Sequence, residues 1–487
     1  MPWTARRAAA FVLLAFGVYL LYFHNLSGVG LIGPDEPRYA AIGREMASSG
    51  DWITPRLWGG PWFEKPPLAY WMTAAAFRLG WGGELAPRVP VALLAVAFLL
   101  FYWRVLRREF GAEAALAATA ILATSAMWLG FSHAAVTDLP MTAFFSAAML
   151  LALGWIERGE RRWLWVAAAL AGLAVLAKGL VPLALGAPVL WAGRGRLRDL
   201  LRPGPLVAFV LVAAPWYVTI TAIHGRLFLD DFFLRHHLAR FANDSLKHAQ
   251  PFWFYVPVVA AALFPWFPLL GLLFRRTLYK DPRARFLLLW LVFGFVFLST
   301  AANKLPGYVL PLVPAAAALA GISLAQARRK GVLVACALAL ALVPVVAAVL
   351  PVALRRGITH TSLAGVSWAA IALAAGLAAG VWAMLRRGRS GWAVVSVAAA
   401  VAAGVVWLES ATFSILDRTI SARPLWREAA ERRDEVCVAE VNRGWRYSLN
   451  YYSEIPLPDC GTTPRRLRIV QPPGEAPYLE RTSLRDF

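Results

Sequence analysis

The sequence predicts an all-α polytopic membrane protein that ends in a small α/β domain. Hydrophobic residues make up 59% of the 487 and charged residues only 16%, where soluble domains carry about a quarter charged. The hydrophobic residues gather in runs of roughly the length that spans a bilayer, about 20 residues. Lys and Arg fall in short clusters between those runs, and from residue 412 onward the chain turns polar. A net charge of +21 would suit a nucleic-acid binder only if the basic residues formed a stripe on a polar domain. Here they act as topology signals, so membrane lipids are the expected surroundings and no nucleic-acid partner is expected.

Arg6 and Arg7 precede an apolar run at 8–23. No convincing small-residue cleavage site follows, so this run reads as an uncleaved first span with its N-terminus inside. Residues 31–88 form a mixed outer loop in which Trp52, Trp58, Trp62, Trp71 and Trp81 stand among Pro, Gly and charges. The segments 37–49 and 67–79 are expected to be short interfacial helices, with the Trp residues chiefly as interface anchors. Runs at 89–103, 112–131 and 139–155 then cross in alternation, leaving Arg104, Arg107, Arg108, Arg158, Arg161 and Arg162 inside. The stretch 163–192 is too long for one ordinary span and is interrupted by Lys178, Gly179 and Pro182. Two short passes broken at Lys178 return the chain inside at Arg194, Arg196, Arg198 and Arg202, as the positive-inside rule requires. After a run at 205–223, a second outer loop at 224–251 concentrates Asp230, Asp231, His236, His237, Arg240, Asn243 and His248.

Runs at 252–274, 286–301, 305–325, 331–354, 363–385 and 391–411 bring the expectation to about thirteen spans, with the C-terminus outside. Arg355 and Arg356 are the exception to the basic-inside pattern. The chain divides into a transmembrane domain, 1–411, and a C-terminal outer-face domain, 412–487. In the latter, 436–441 and 447–452 read as short strands around Asn442-Arg443-Gly444. A domain this small gains from a cross-link, and Cys437 and Cys460 would lie in an oxidising compartment, so a disulfide between them is expected. The three cysteines show no metal-ligand spacing.

The densest chemistry lies in the first outer loop, in Gly33-Pro34-Asp35-Glu36-Pro37-Arg38-Tyr39-Ala40 and Phe63-Glu64-Lys65-Pro66-Pro67. Asp35 before Pro37 has a plain reading as a helix N-cap. Capping explains neither Glu36, Arg38 nor the Glu64-Lys65 pair. Adjacent Asp35 and Glu36 point different ways on a turn, so one can face a site while the other holds the scaffold. An outer-face carboxylate beside Arg and Lys, next to bilayer, fits transfer of a group from a lipid phosphate. Arg and Lys hold the phosphate that leaves, and a carboxylate orients or deprotonates the acceptor. Asp138 before Pro140 is either a cap or an acidic site residue. Lys304 either snorkels from a helix end or meets substrate. Lys178, in an apolar setting at a break, receives no role.

The order Asp-Glu-Pro-Arg-Tyr-Ala, Phe-Glu-Lys-Pro-Pro-Leu, Asp138, His248-Ala-Gln-Pro-Phe-Trp and Lys304-Leu-Pro-Gly-Tyr308-Val-Leu-Pro resembles the GT-C membrane glycosyltransferases. Within these it is similar to the bacterial aminoarabinose transferases of lipid A and, more distantly, to protein O-mannosyltransferases. The resemblance implies a polyprenyl-phosphate sugar donor and an acceptor that is lipid A or another envelope molecule. It implies that Asp35 is catalytic and Asp138 a second acidic position, and that Arg38, Tyr39, Lys65, Arg240 and Tyr308 surround the donor phosphate. It also implies that Glu64 and His248 hold a divalent metal, zinc by ligand type. The expected setting is the bacterial inner membrane, with the active site and C-terminus on the periplasmic side. Two alternatives are glycosylation of a protein or other envelope glycan, and a transporter for a lipid-linked sugar. Transporters place polar groups at the midplane and show repeated halves, whereas these lie at one face and no repeat is evident.

Overall fold

The computed structural model describes residues 5–232, 250–327 and 330–481. Among them, eight helices are individually long and apolar enough to cross a membrane, and two bent helix pairs bring the number to ten. Shorter apolar helices at Ala5–Tyr22 (α1), Leu164–Lys178 and 181–192 occupy the other positions where the sequence predicts a span. The chain is a multi-pass membrane protein with the all-α architecture expected.

The bent pairs depart from straight spans for local reasons. The pair Ala112–Ala123 with Ala126–Ser132 bends by 59° at Thr124 and Ser125, whose hydroxyls donate back to the carbonyls of Ala120 and Ile121. Such back-bonding competes with the helical ladder and bends it. The pair Phe252–Ala262 with Phe267–Phe274 turns through 114° at a break containing Pro265, which has no N–H to continue a helix. The segment predicted as one straight span at 252–274 is therefore two helical pieces.

The most buried spans are Asp138–Arg158, at 78%, and 306–326, at 89%, and they form the centre of the bundle. Hydrocarbon gives no hydrophobic drive for helices to associate, so close backbone approach through small residues has to supply it. Gly321 shows this directly, because a Cβ there would sit 2.4 Å from the Ala118 backbone nitrogen. By contrast, α1 leaves Phe11, Leu13 and Leu14 more than half exposed.

The two ends of the bundle differ in charge. At one end Glu109, almost fully buried, accepts two hydrogen bonds from Arg158 at 2.6 and 2.7 Å, while Arg283 lies 3.5 Å away. Glu160 there pairs with Arg108 and Arg158, and Asp199 with Arg161. Arg196 donates to the carbonyls of Trp155 and Ile156, so 163–192 does return to this end, in the two passes the sequence predicts. The other end carries the loop after α1, the segments between its two interfacial helices, and the C-terminal domain. These helices are Asp35–Ser49 (α2) and Leu68–Arg78 (α3), close to the predicted ranges. Arg356 pairs with Glu475 of the C-terminal domain, which accounts for the one basic pair away from the arginine-rich end.

The Ser390–Ile420 helix runs unbroken through the boundary expected at 411/412. Beyond it the C-terminal domain contains a three-stranded sheet, Val436–Val438, Leu467–Val470 and Tyr478–Arg481. The first two strands are parallel and the last two antiparallel. A disulfide joins Cys437 to Cys460. The strand expected at 447–452 is instead part of a helix, Arg443–Ser453. Asn442, read as a turn residue, is its N-cap and accepts from the Gly444 N–H at 2.9 Å. Leu449 packs in the domain's own core and Tyr451 in the core under α2. A helix wedged between two cores needs apolar residues on more than one side, and short-range alternation imitates that pattern.

Candidate active site

Helix α2 starts after Gly33, whose φ of +67° turns the chain, and Pro34 stands at its N-cap position. Asp35 and Glu36 occupy its first turn, where the helix dipole favours negative charge. The two carboxylates diverge as expected. Glu36 turns inward, 3% exposed, and accepts from Arg88 Nε at 2.7 Å and Arg88 Nη2 at 2.8 Å. It also takes the backbone N–H groups of Ile32 and Ala135, each at 3.0 Å. Arg88 in turn donates to the carbonyls of Leu26, Val29 and Gly30. This buried pair ties together the loop after α1, α2 and the loop before Asp138, so Glu36 is the scaffold residue of the two.

Asp35 is half exposed and meets Arg38 Nη2 at 2.6 Å. The same nitrogen lies 2.8 Å from Glu64 Oε2, and Lys65 Nζ is 3.6 Å from Glu64 Oε1. Arg38 is 3% exposed and its guanidinium carbon sits 5.0 to 5.4 Å from the ring centres of Tyr39, Trp62 and Tyr447. Burial alone would lower its pKa, but Tyr39, Glu64 and Asp35 raise it above the usual value, so it stays charged. Burial, and then the negative charges of Asp35 and Glu64, push the Tyr39 hydroxyl well above its ordinary range, so it stays protonated. Four buried donors near this guanidinium have no hydrogen-bond partner among the described residues: Arg38 Nε, the indole nitrogens of Trp58 and Trp62, and the Tyr70 hydroxyl. Trp58 packs on Tyr447 and Tyr70 on Tyr39. A buried donor without an acceptor is costly, and a bound ligand rich in oxygen would supply acceptors here.

A second cluster forms where the Asp138–Arg158 helix begins and the Leu164–Lys178 helix ends. Lys178 Nζ is 2.5 Å from Asp138 Oδ1 and 5.2 Å from the Tyr308 ring centre. Asp138 is the first residue of its helix, after Thr137 at the N-cap position; its charge meets Lys178. Gly307 lets Tyr308 approach, since a Cβ there would meet Phe131 at 2.6 Å and Asp138 Oδ1 at 3.4 Å. The two clusters lie at the same end of the bundle. Phe63, next to Glu64, packs in one apolar cluster with Leu176, two residues before Lys178. Val136, two residues before Asp138, packs against the core that contains Tyr39.

The structure therefore brings Asp35, Arg38, Tyr39, Glu64 and Lys65 into one cluster, and Asp138 and Tyr308 into its neighbour. Arg240 and His248 lie outside the described residues. Lys304 is buried and donates to the carbonyls of Ala301 and Gln250, which makes it a holder of backbone. No group of three or more His, Cys, Asp or Glu that could hold a metal occurs among the described residues. Glu64 faces Arg38 and Lys65. Sequence reasoning missed Arg88, Lys178 and Tyr447. A buried charge at a helix break was the available signal for Lys178; Tyr447 had none once it was read in a strand.

Residues 64–220 match the family model described as dolichyl-phosphate-mannose-protein mannosyltransferase. The undecaprenyl phosphate-alpha-4-amino-4-deoxy-L-arabinose arabinosyl transferase of Pectobacterium carotovorum is 38% identical over 309 residues, 60% of this chain and 55% of that protein. The protein of the same name from Pseudomonas aeruginosa is 33% identical over 342 residues, 67% of this chain and 61% of its own length. The chain thus spans under two thirds of the length of these curated relatives. Among solved structures, ArnT from Cupriavidus metallidurans bound to undecaprenyl phosphate superposes with a TM-score of 0.76 at 24% identity, over 96% of this chain and 87% of that one. Arabinosyltransferase EmbB from Mycobacterium smegmatis gives 0.50 at 18% identity, over 92% and 43%.

Proposed function

From a chain that has the GT-C fold and is related in sequence to bacterial aminoarabinose transferases, we propose a membrane glycosyltransferase that moves a sugar from a polyprenyl-phosphate donor to an envelope acceptor. The sugar is aminoarabinose or a close relative, as in the relatives' name, and the acceptor is a phosphate of lipid A. The observation that carries this reading is the Arg38 cluster. A permanently charged, almost fully buried guanidinium, with Lys65 close by, its own Nε unpartnered and three further unpartnered buried donors around it, suits a phosphate ester arriving from the bilayer.

In the proposed reaction an acceptor phosphate oxygen attacks the sugar's anomeric carbon from the face opposite the donor phosphate. The new C–O bond forms as the bond between that carbon and the polyprenyl phosphate oxygen breaks, and the configuration inverts. Arg38 and Lys65 stabilise the charge that collects on the leaving phosphate, and Tyr39 donates from its protonated hydroxyl. An acceptor phosphate is already anionic, so Asp35 positions it and is not needed as a strong base. Asp138, held by Lys178 beside Tyr308, forms the second wall of the site. An apolar cleft of about 660 Å³ lined by Val175, Leu180 and Leu183 on one side and the Pro203–His224 helix on the other suits the prenyl chain.

The polarity of the bundle supports an inner-membrane setting with this site on the periplasmic side. Basic clusters gather at the opposite end, and the Cys437–Cys460 disulfide belongs to an oxidising compartment. Zinc at Glu64 and His248 remains a separate proposal, through which no step passes. Asp35→Asn is expected to abolish transfer to lipid A, followed by the gain of one sugar mass, while the thermal midpoint in detergent is kept. Turnover at the unsubstituted rate would sink the assignment of Asp35. Transfer to an exported protein with lipid A unchanged would replace the acceptor.

A further inference from the structure

At the arginine-rich end, away from the site above, a cavity of about 840 Å³ opens between the segment 191–196 and the Pro282–Thr300 helix. Arg194, Arg196 and Arg285 line it together with Trp191, Leu289 and Val292. Some of the other arginines of this end are paired with carboxylates. Arg158, Arg108 and Arg283 share Glu109, Glu160 and Asp281, and Arg161 and Arg202 share Asp199. Arg194, Arg196 and Arg285 have no carboxylate within ion-pair distance among the described residues. Arg196 is nonetheless fixed, because its Nη1 donates to the carbonyls of Trp155 and Ile156 at 2.8 and 2.9 Å. Arg194 rests 5.8 Å from the Trp191 ring centre.

The rest of the cavity is of another kind. Leu289 and Val292 lie along the Pro282–Thr300 helix from Arg285, and Val292 and Val296 are nearly half exposed on a membrane-spanning segment. The rise from Arg285 to Val292 is about 10 Å, so one wall passes from guanidinium to hydrocarbon-facing side chains within a single cavity. Trp191, 67% exposed, stands where aromatic side chains mark the headgroup level. Three uncompensated guanidinia at the mouth of an apolar cleft open to the bilayer complement an anion with a hydrocarbon chain attached.

We propose that this cavity binds the phosphodiester headgroup of an anionic glycerophospholipid in the leaflet opposite the Asp35 cluster, with an acyl chain along Leu289 and Val292. The lipid bridges 193–202 to the Pro282–Thr300 helix, which share no carboxylate of their own at this place, and so clamps the returning pass of 181–192 onto the bundle. The site is distinct from the transferase site and does not depend on that reading. Basic pockets between spans at a cytoplasmic face bind such headgroups, each arginine contributing about fivefold in affinity.

The test is native mass spectrometry of the full chain released from nanodiscs of phosphatidylcholine mixed with phosphatidylglycerol, together with its thermal midpoint in each lipid. Wild-type protein is expected to retain phosphatidylglycerol in preference to phosphatidylcholine, and to melt at a higher temperature when it is present. The Arg194→Gln/Arg285→Gln variant is expected to weaken that retention by about thirtyfold and to lose the thermal shift. Should the variant not fold, the preference of the wild type between the two lipids still decides. Equal retention of both lipids by the wild type, unchanged retention by a folded variant, or an equal thermal shift from inorganic phosphate alone would each overturn the proposal.

Discussion

Arg38→Lys separates charge from geometry in the candidate site. The substitution keeps one positive charge between Asp35 and Glu64, which accept from Arg38 at 2.6 and 2.8 Å. It removes the planar fork, the unpartnered Nε donor, and the flat face that lies 5.0 to 5.4 Å from Trp62, Tyr39 and Tyr447. Arg and Lys are not equivalent where a site is bidentate or stacked. One lost hydrogen bond to a charged phosphate oxygen costs about 1.5 to 3 kcal/mol, and each lost cation–aromatic contact about 0.5 to 1 kcal/mol. Because the ammonium keeps part of both terms, the net effect on the transition state is about 2 to 3 kcal/mol, or roughly 30- to 150-fold in kcat/KM. The assay is transfer of sugar from polyprenyl phosphate to lipid A by purified protein, followed by mass spectrometry, with the thermal midpoint measured alongside. Fold is expected to survive, since the buried carboxylates keep a counter-charge. A kcat/KM within about threefold of wild type would refute the claim that the guanidinium geometry holds the phosphate.

Glu36→Ala leaves the Arg88 guanidinium buried and unpaired, and should cost about 3 to 5 kcal/mol of stability, read as a large fall in thermal midpoint; a small fall would show that this pair is not the tie between the loops. Tyr447→Ala removes one aromatic face from Arg38 and the partner of Trp58, and should lower kcat/KM about fivefold, consistent with roughly 1 kcal/mol, while Tyr447→Phe keeps the ring and the rate. Identical rates in the two variants would exclude a role for the ring. Metal analysis of the purified protein tests zinc at Glu64 and His248: one bound zinc, lost in His248→Ala and accompanied by loss of transfer on chelation, would establish it, and a metal-free protein with full transfer would dismiss it.

The parts legible from sequence are those fixed by local pattern. Apolar run length gave the spans, and the basic clusters separated the two ends. The turn geometry of two adjacent acids was enough to expect Asp35 and Glu36 to face apart. What stayed hidden depends on packing between distant segments. Arg88 lies 52 residues from Glu36, and Lys178 lies 40 from Asp138; no local periodicity links either pair. Tyr447 comes to Arg38 from the far end of the chain. Its reading as a strand residue failed because a helix buried on two sides loses the single apolar stripe that marks a helix in sequence.

The charge balance of the Arg38 cluster constrains how a phosphate enters. Asp35 and Glu64 together offset Arg38 and Lys65, so the cluster has little net charge to attract an anion from a distance. In the proposed reaction a donor phosphate therefore gains most by replacing one carboxylate on Arg38, and the two are not equally replaceable. Glu64 is buried and touches both cations, so releasing it would strand a charge in a dry site, a large penalty. Asp35 is half exposed and meets Arg38 through Nη2 alone, and its carboxylate regains water on leaving. Phosphate binding at Arg38 would then free Asp35 at the same moment, at the head of α2, beside the place where an acceptor must approach. On this proposal Asp35 and Glu64 would not be interchangeable even though both touch the same nitrogen: Glu64 would hold Arg38 in place, and Asp35 would give way to the substrate.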